Sequence, residues 1–506
     1  MFDLGRSFLA SVERSPEAMA IVDGERRLSY AEWYAEICRV ADGLAGLGLR
    51  RGDRLAVILQ NRMEMASLHW ACQFLGIVTT PLNWRLKAEE LDYCLANAEA
   101  SAVVFDAVAA DTVVGAARAR DLPRVAIGGA EVSGTCRFDE WPASRCSLMP
   151  RAGPEDLSVL LYTSGTTGRP KGVPRRHRTE RAAALAHVAQ NLYGRHERTL
   201  GVMPLYHTMG IRSLLAMALV DGVFVCLRRF DAAAALWLIG RERVTNLYLV
   251  PTLYHDLVSH PDFATADIGS VRKVGFAGAA MPDGLLKRVE TAFQPELFVN
   301  HYGSTEIYTF TIEPQAAAKL GSAGKAGINQ RIRVVKLGAG APDETAVVGE
   351  EGEIMADMEG DEAFEGYWQR PDADAKALRQ GWYFTGDTGY VDAAGDLFVT
   401  GRVDDLIISG GENISPAEIE SVLSLHPAVA EVAVAGLPDE RWGQRVAAFV
   451  RRGGTVDRAA LDAWCRQSSL ADYKRPRDYV FVVDIPKSPV GKILRRLLVA
   501  GEYRTE

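Results

Sequence analysis

Tyr162-Thr163-Ser164-Gly165-Thr166-Thr167-Gly168-Arg169-Pro170-Lys171-Gly172 is the stretch on which the reading of this 506-residue chain turns. It follows directly on the apolar run Leu157–Leu161 and gathers four Ser or Thr hydroxyls and three glycines into eleven residues. Glycines let backbone N–H groups close on phosphate oxygens, hydroxyls add donors, and Lys171 adds a mobile positive charge. The spacing is not that of a Walker loop, because G-x-x-x-x-G-K-[S/T] is absent. A generic Gly/Ser/Thr stretch is a surface loop, but the Gly-Arg-Pro-Lys-Gly ending argues for a phosphate-holding turn.

Outward from this loop, apolar runs of strand length alternate with helical patterns, which predicts an α/β architecture with buried sheets. Arg54–Gln60, Ala102–Phe105, Val125–Ile127, Val223–Leu227, Thr245–Val250 and Val271–Phe276 read as strands, and Glu64–Leu75 carries helical spacing. Between about Gly128 and Asp156 the pattern dissolves into Gly, Pro and Ser, a surface connection. Past residue 345 the texture changes to short antiparallel strands with Gly turns, Gly349–Ile354, Gly381–Asp387 and Gly395–Val399. From Leu406 a small α+β unit follows: helix Pro416–Leu425, strands Val429–Ala435 and Val446–Val450, helix Arg458–Ser468 and strand Tyr479–Val483.

Composition narrows the function classes. Hydrophobic residues make up 48% and charged residues 24%, ordinary values that exclude a disordered chain. Fifty-seven Lys and Arg against 65 Asp and Glu leave a net charge of −8, which argues against nucleic acid or an anionic membrane as partner. The seven cysteines are an odd number, scattered and without a CxxC pair, so they read as reduced thiols of a cytoplasmic protein. The N-terminus lacks the basic, then apolar, order of a secretory signal. The most apolar stretch, Leu214–Leu227, is broken by Asp221 and Gly222 and is too short to span a bilayer.

Further motifs follow the loop in order: Pro204-Leu205-Tyr206-His207, Phe276-Ala277-Gly278-Ala279-Ala280, Asn300-His301-Tyr302-Gly303-Ser304-Thr305-Glu306 and Tyr383-Phe384-Thr385-Gly386-Asp387. Then come Gly401-Arg402-Val403-Asp404-Asp405, Ser409-Gly410-Gly411-Glu412-Asn413, Tyr473-Lys474-Arg475-Pro476 and Pro486-Lys487-Ser488-Pro489-Val490-Gly491-Lys492. Over nearly its whole length the chain resembles the ANL adenylate-forming superfamily, and from Phe276 to Leu498 it is similar to halobenzoate- and benzoate-type CoA ligases. The resemblance implies a large N-terminal domain, 1–402, of layered α/β sheets with a β-barrel-like subdomain. A small α+β C-terminal domain, 403–506, would turn on a hinge at Asp404.

The implied reaction joins a carboxylate to the α-phosphate of ATP, expels pyrophosphate and passes the acyl group to coenzyme A. Negative charge must then be neutralised on both sides of an in-line attack. By resemblance, Thr163, Ser164 and Thr166 hold β- and γ-phosphate oxygens, with Gly165, Thr167, Gly168 and Lys171 in the same loop. Gly278, Ala279 and Ala280 form the adenine turn, with Asn300, His301, Tyr302 and Gly303 beside it. Thr305 adds a hydroxyl near the α-phosphate, and Glu306 with Thr163 holds Mg²⁺, an ion that prefers hard carboxylate oxygen. Asp387 accepts both ribose hydroxyls next to Arg402. Lys492 bridges the substrate carboxylate and the α-phosphate.

For the second half-reaction the small domain withdraws Lys492 and brings Ser409, Gly410 and Gly411 to a pantetheine channel. Trp442, Tyr473, Arg475, Arg477 and Arg85 fall where the CoA nucleotide rests; an aromatic face and guanidiniums suit adenine and a 3′-phosphate. His207 matches a gating aromatic, with a locally satisfied core histidine as its rival. The lining His207, Met209, Tyr248, Val250, Phe276, Ala277, Tyr302, Gly303, Tyr308 and Thr309 is apolar and compact, and suits a small aromatic, heteroaromatic or cyclic acid. The same aromatics also suit plain core packing. Three alternatives stay open: a short- or medium-chain fatty acyl-CoA synthetase, a stand-alone enzyme loading a carrier protein, and a non-catalytic nucleotide-binding relative. Dimers are common among such ligases, so a homodimer is kept as a candidate assembly. The cluster Arg175-Arg176-His177-Arg178 acquires no role from the sequence.

Overall fold

The computed structural model describes residues 2–130, 132–144, 147–163, 169–468, 470–487 and 493–506, and leaves aside the side chains of Asp404 and Asn413. Among these residues the strands form three sheets. In the first, Cys136–Arg137, Arg124–Ile127, Ala102–Asp106, Arg54–Ile58, Val78–Pro81 and Leu157–Thr163 lie side by side in parallel. The inner strands Ala102–Asp106, Arg54–Ile58 and Val78–Pro81 are buried almost throughout, and the first two read as near-continuous apolar runs rather than alternating ones. Lys171–Arg176 then closes this sheet antiparallel, with Thr163 opposite Lys171.

The second sheet has fourteen strands. Its parallel part runs Met19–Asp23, Val223–Cys226, Arg198–Gly201, Asn246–Leu249, Lys273–Phe276 and Leu297–Tyr302, with Arg26–Ser29 antiparallel at the outer edge. At Tyr302 the direction reverses onto Thr311–Glu313. The ladder continues antiparallel through Ser322–Ala326, Leu397–Arg402, Trp382–Val391, Gly352–Asp357 and Ile332–Lys336. The antiparallel subdomain foreseen from the Gly turns is thus a direct extension of the parallel sheet.

Met63–Leu75 is buried along its entire length, as a helix packed on all sides must be. Phe8, Trp33, Trp70 and Phe74 interlock around it, with ring centroids 4.6 Å apart for Phe8–Trp70 and 5.2 Å for Phe8–Trp33. The helix Tyr30–Gly46 starts on a capping box, Ser29 with Glu32, which satisfies two otherwise orphaned N–H groups. The stretch 128–156 is better anchored than its composition suggests. Phe138 is 1% exposed, under the Arg39 guanidinium at 4.6 Å and beside Trp141 at 4.9 Å.

The third sheet is built from Glu412–Ile414, Ile407–Ser409, Gly443–Arg452, Val429–Asp439 and Asp478–Phe481. Its helix Pro416–Ser424 lies on Asp283–Phe293, where Ser421 Oγ donates to Asp283 at 2.9 Å. A Cβ on Gly284 would stand 2.5 Å from the Ser424 carbonyl, so only glycine permits this approach. The final helix runs from Arg495 to Val499. Cys38, Cys72, Cys94, Cys226 and Cys465 are free and buried, and Cys136 is free and exposed. Burial pushes the Cys72 and Cys94 thiols up to about 12, so they are inert core groups. Among the described residues no helix is long and apolar enough to cross a membrane.

Candidate active site

Strand register makes the first part of the site. Pairing of Trp382–Val391 with Leu397–Arg402 sets Asp387 opposite Arg402, and Arg402 donates to Asp387 Oδ1 at 2.8 Å. From the neighbouring part of the same sheet, the Tyr302 hydroxyl donates to Asp387 Oδ2 at 2.7 Å. Gly386 has φ +72°, and a Cβ there would stand 2.8 Å from an Arg402 guanidinium nitrogen. Glycine is therefore required on both conformational and spatial grounds. Residues 85 and 100 positions apart from Tyr302 thus meet at one carboxylate.

Lys171 and Glu306 form the second part. Lys171 Nζ sits 4.0 Å from the centre of the Tyr367 ring, and the Tyr367 hydroxyl donates to Glu306 Oε1 at 2.6 Å. Burial, with Arg370 and Arg402 nearby, lowers the affinity of Lys171 for its proton, while Glu306 opposes the change. Thr163 Oγ1 reaches the Lys171 carbonyl at 3.4 Å. Ser164, Gly165, Thr166, Thr167 and Gly168 lie outside the described residues. Gly303 admits a tight turn, since a Cβ would stand 2.0 Å from the Tyr308 carbonyl. Thr305, half-buried, sits in this turn.

Arg175, left without a role by its motif, helps to hold the Glu306 backbone, which also accepts from the Phe364 N–H at 3.0 Å. It is fully buried and pairs with Glu180 at 2.8 Å. Its guanidinium donates to the backbone carbonyls of Glu306 at 2.9 Å and Glu362 at 2.6 Å. The rest of the cluster is more ordinary: Arg176 and Arg178 pair with Glu365 at the surface, and neutral His177 accepts from the Leu4 N–H at 3.3 Å.

The apolar wall stands at the carboxyl ends of the parallel strands. Gly278, at φ +85°, places its backbone where a Cβ would lie 3.2 Å from Val250 Cγ1 and 3.7 Å from Met209 Sδ. Ala277 is buried behind it, with Ala279 half-buried and Ala280 exposed. His207 caps the helix Thr208–Leu219 by accepting from the Met209 N–H at 3.3 Å. Burial pulls its pKa down to about 4, so it is a neutral acceptor at this wall.

Two expected positions are corrected by the twofold alternation of strands. Tyr248 pairs with Gly275 and Leu249 with Phe276, so Phe276 faces away from Tyr248. It packs edge-on against Phe298, with ring centroids 5.8 Å apart, and is a core residue. Likewise His301 points away from Asn300 and Tyr302. Its Nε2 meets Asn191 Oδ1 at 3.0 Å, and its ring lies 5.0 Å from that of Tyr248, so it belongs behind the wall rather than with the adenine turn. Asn300 donates to the Ser322 carbonyl at 2.8 Å. Tyr308 is buried with its hydroxyl on Glu180 at 3.0 Å, and Thr309 is buried beside it.

Of the residues read as CoA contacts, Trp442, Arg477 and Gly410 come together. Arg477 stands 4.8 Å over the Trp442 ring, and Gly410, at φ +62°, would clash through a Cβ with that ring at 2.8 Å. Ser409 and Gly411 adjoin in the same hairpin. Arg475 is held through Nη1 by Asp462 at 2.6 Å and through Nε by Asp472 at 3.0 Å. Tyr473 is exposed. Arg85 stacks on Trp84 at 3.8 Å and reaches the Tyr206 hydroxyl at 3.3 Å. Asp404 lies in the single turn Val403–Asp405 between Leu397–Arg402 and Ile407–Ser409. Lys492 lies outside the described residues.

Comparison with known proteins agrees with this geometry. The model of the AMP-binding enzymes matches residues 8–368, and that of the AMP-binding enzyme C-terminal domain matches 418–492. The chain is 35% identical to a 4-chlorobenzoate–CoA ligase of Arthrobacter sp over 493 residues, 96% of this chain and 93% of that protein. It is 37% identical to a feruloyl-CoA synthase of Amycolatopsis sp, covering 97% and 96%. The anthranilate CoA ligase AuaEII in complex with anthranoyl-AMP superposes with a TM-score of 0.91 at 26% identity, over 99% of this chain and 97% of that one. The chain belongs to the AMP-binding, adenylate-forming enzymes, and within them to the AMP-forming acid–thiol ligases.

Proposed function

We propose that the chain joins a small aromatic carboxylic acid to coenzyme A, by way of an acyl-adenylate and with release of pyrophosphate. The observation that carries this reading is that a nucleotide-shaped polar set, Asp387, Arg402 and Tyr302, and the Met209–Val250–Gly278 wall stand at the carboxyl ends of the adjacent strands Leu297–Tyr302 and Lys273–Phe276. That wall stands outside the carboxyl ends of parallel strands, where open α/β sheets bind ligands. A short apolar wall favours a flat ring over a long alkyl chain.

In this reading Asp387 receives the ribose hydroxyls, and Arg402 keeps it charged and oriented. Lys171 supplies positive charge toward the phosphates, with Tyr367 fixing its stem. His207, neutral and pinned at the helix start, borders the acid without adding charge. Glu306, whose backbone Arg175 anchors and whose side chain Tyr367 orients, offers the carboxylate oxygen a Mg²⁺ ion accepts; bound there, the ion would offset charge on the departing pyrophosphate. We further infer that 1–402 and 403–506 act as two domains turning at Asp404. In that arrangement Lys492 serves the first half-reaction, and Gly410 with Trp442 lines the thiol approach in the second.

The test is a pyrophosphate-release screen with CoA present, across benzoates, cinnamates, cyclohexanecarboxylate and fatty acids. Turnover with ring acids and an acyl-CoA product supports the reading. Release with fatty acids alone refutes the ring preference, and silence throughout refutes the activity. In the same assay Lys492→Ala is expected to lose adenylation while ATP binding, read by calorimetry, persists.

Asp387→Ala is expected to reduce kcat/KM for ATP about 10- to 150-fold, since hydrogen bonds to a charged group contribute about 1.5–3 kcal/mol. The parent should favour ATP over 2′-deoxy-ATP, and the variant should treat the two alike. An unchanged preference would place the ribose elsewhere.

A further inference from the structure

Behind the apolar wall lies a buried polar cluster that the roles above do not use. Arg212 is 2% exposed, Glu362 1%, His187 1% and His301 2%. They come from separate elements: His187 from the helix His177–Gln190, Arg212 from Thr208–Leu219, and His301 from Leu297–Tyr302. Tyr248 joins them to the wall, with its ring 4.6 Å from that of His187 and 5.0 Å from that of His301. Arg212 donates to the Tyr248 hydroxyl at a long 3.3 Å.

The cluster is incompletely bonded. Among the described residues, Arg212 Nε, His187 Nε2, His301 Nδ1 and Glu362 Oε2 have no hydrogen-bond partner, and the Arg212–Glu362 approach is only 4.0 Å. A buried group left unsatisfied is expensive, so such atoms mark a place where something else binds. Gly275 closes one side of the cluster, since a Cβ there would stand 3.2 Å from Tyr248 and 3.5 Å from Asn191.

Asn191 fixes what each imidazole offers. Its Nδ2 donates to the His187 carbonyl at 2.8 Å and faces His187 Nδ1 at 3.1 Å. That ring nitrogen therefore accepts, leaving Nε2–H as a free donor. Asn191 Oδ1 accepts from His301 Nε2 at 3.0 Å, leaving the His301 Nδ1 lone pair free. The open valences are thus two donors, Arg212 Nε–H and His187 Nε2–H, and two acceptors, His301 Nδ1 and Glu362 Oε2. Burial holds both imidazoles neutral, far below their ordinary pKa. Arg212 and Glu362 offset one another in charge, so a carboxylate placed here would leave a net buried negative charge. A hydroxyl gives and accepts at once and carries no charge.

We propose that the acid taken by this enzyme is a hydroxylated aromatic acid, whose phenolic hydroxyl is received behind the wall by Arg212, His187 and His301. This rests on the ligase reading above and narrows its substrate class. A site built to bond a hydroxyl rejects the analogue that lacks it far more strongly than an apolar pocket rejects a missing methylene.

The experiment compares kcat/KM for CoA-thioester formation between hydroxylated acids and their parents: 2-, 3- and 4-hydroxybenzoate with benzoate, hydroxycinnamates with cinnamate, and isophthalate and terephthalate as dicarboxylates. One hydroxylated acid is expected to exceed its parent by at least about 10²-fold, with the dicarboxylates no better than benzoate. Parents and hydroxylated acids within tenfold of each other, or a preferred dicarboxylate, would overturn the inference while leaving the ligase reading intact. No thioester from any acid would overturn both. The variant Arg212→Met is expected to lower the hydroxyl-to-parent ratio at least about tenfold. Because it strands Glu362 and stands to misfold, His187→Phe is measured as well. Loss of the same ratio in His187→Phe supports the assignment, since general damage to the fold lowers both rates together, and an unchanged ratio refutes it.

Discussion

At pH 5 the protein is expected to be markedly less stable than at pH 7.5. His69, His177, His187 and His301 are at most 4% exposed. Burial pulls His69 down to about 3 and His177 to about 4, and holds His187 and His301 well below the ordinary value. A histidine whose folded pKa is depressed contributes its full stability above the unfolded pKa near 6.5. That contribution is lost as pH falls toward the folded pKa, because only the unfolded chain takes up the proton. Each such group loses about 1.4 kcal/mol per pH unit below 6.5, or about 2 kcal/mol by pH 5. His69 and His177 together remove roughly 4 kcal/mol, a large part of the about 5–15 kcal/mol typical of a folded domain, and His187 and His301 add to the loss in the same direction. Asp221, held by Arg14 against its desolvation, titrates only at about 2, whereas burial raises Asp106, Glu353 and Glu362, which take up protons in the folded state and offset part of the loss. Urea midpoints followed by circular dichroism from pH 7.5 to 4.5 check the expectation. They should fall steeply below pH 6.5, and less steeply in His69→Gln. A flat midpoint between pH 7 and 5 would refute it.

Arg175→Met is expected to cost about 3–5 kcal/mol of stability, the usual result of stranding one partner of a buried ion pair. Glu180 would keep only the Tyr308 hydroxyl, the Glu362 carbonyl would lose the Arg175 donor, and the Glu306 carbonyl would lose one of its two donors. The double variant Arg175→Met/Glu180→Gln removes the uncompensated charge and should recover much of the stability. It should not recover full adenylation, because the Glu306 backbone would then keep only the Phe364 N–H at 3.0 Å. Denaturant midpoints read the first effect and pyrophosphate release the second. Recovery of both in the double variant would show that Arg175 serves folding alone.

The parts of this protein that could be read in advance are those whose chemistry is local. Leu157–Thr163 is a strand because it is an apolar run, and Asp387 meets Arg402 because a Gly-turn hairpin sets them in register. Arg175 could not be read, because its carbonyl partners lie 131 and 187 residues away and a run of basic residues usually means a solvated surface. Phe276 and His301 were misplaced for a different reason. They flank motif residues in sequence, but a strand sends neighbours to opposite faces, and the alternation at Tyr248–Leu249 against Gly275–Phe276 held the signal. The unpartnered atoms around Arg212 arise from separate elements and became visible only once those elements were packed together.

The long sheet also sets a timetable for synthesis. Ile21 pairs in parallel with Phe224, and Met19–Asp23 has its other neighbour only in the edge strand Arg26–Ser29. A ribosome adding about 5–20 residues per second takes roughly 10–40 s to deliver the missing strand. Throughout that interval the apolar Ala20-Ile21-Val22 ribbon, fully covered at the end, lacks its parallel neighbour and stands open to other nascent chains. Lower growth temperature and abundant trigger-type chaperones should therefore raise the yield of native enzyme more than any change at the catalytic end of the sheet.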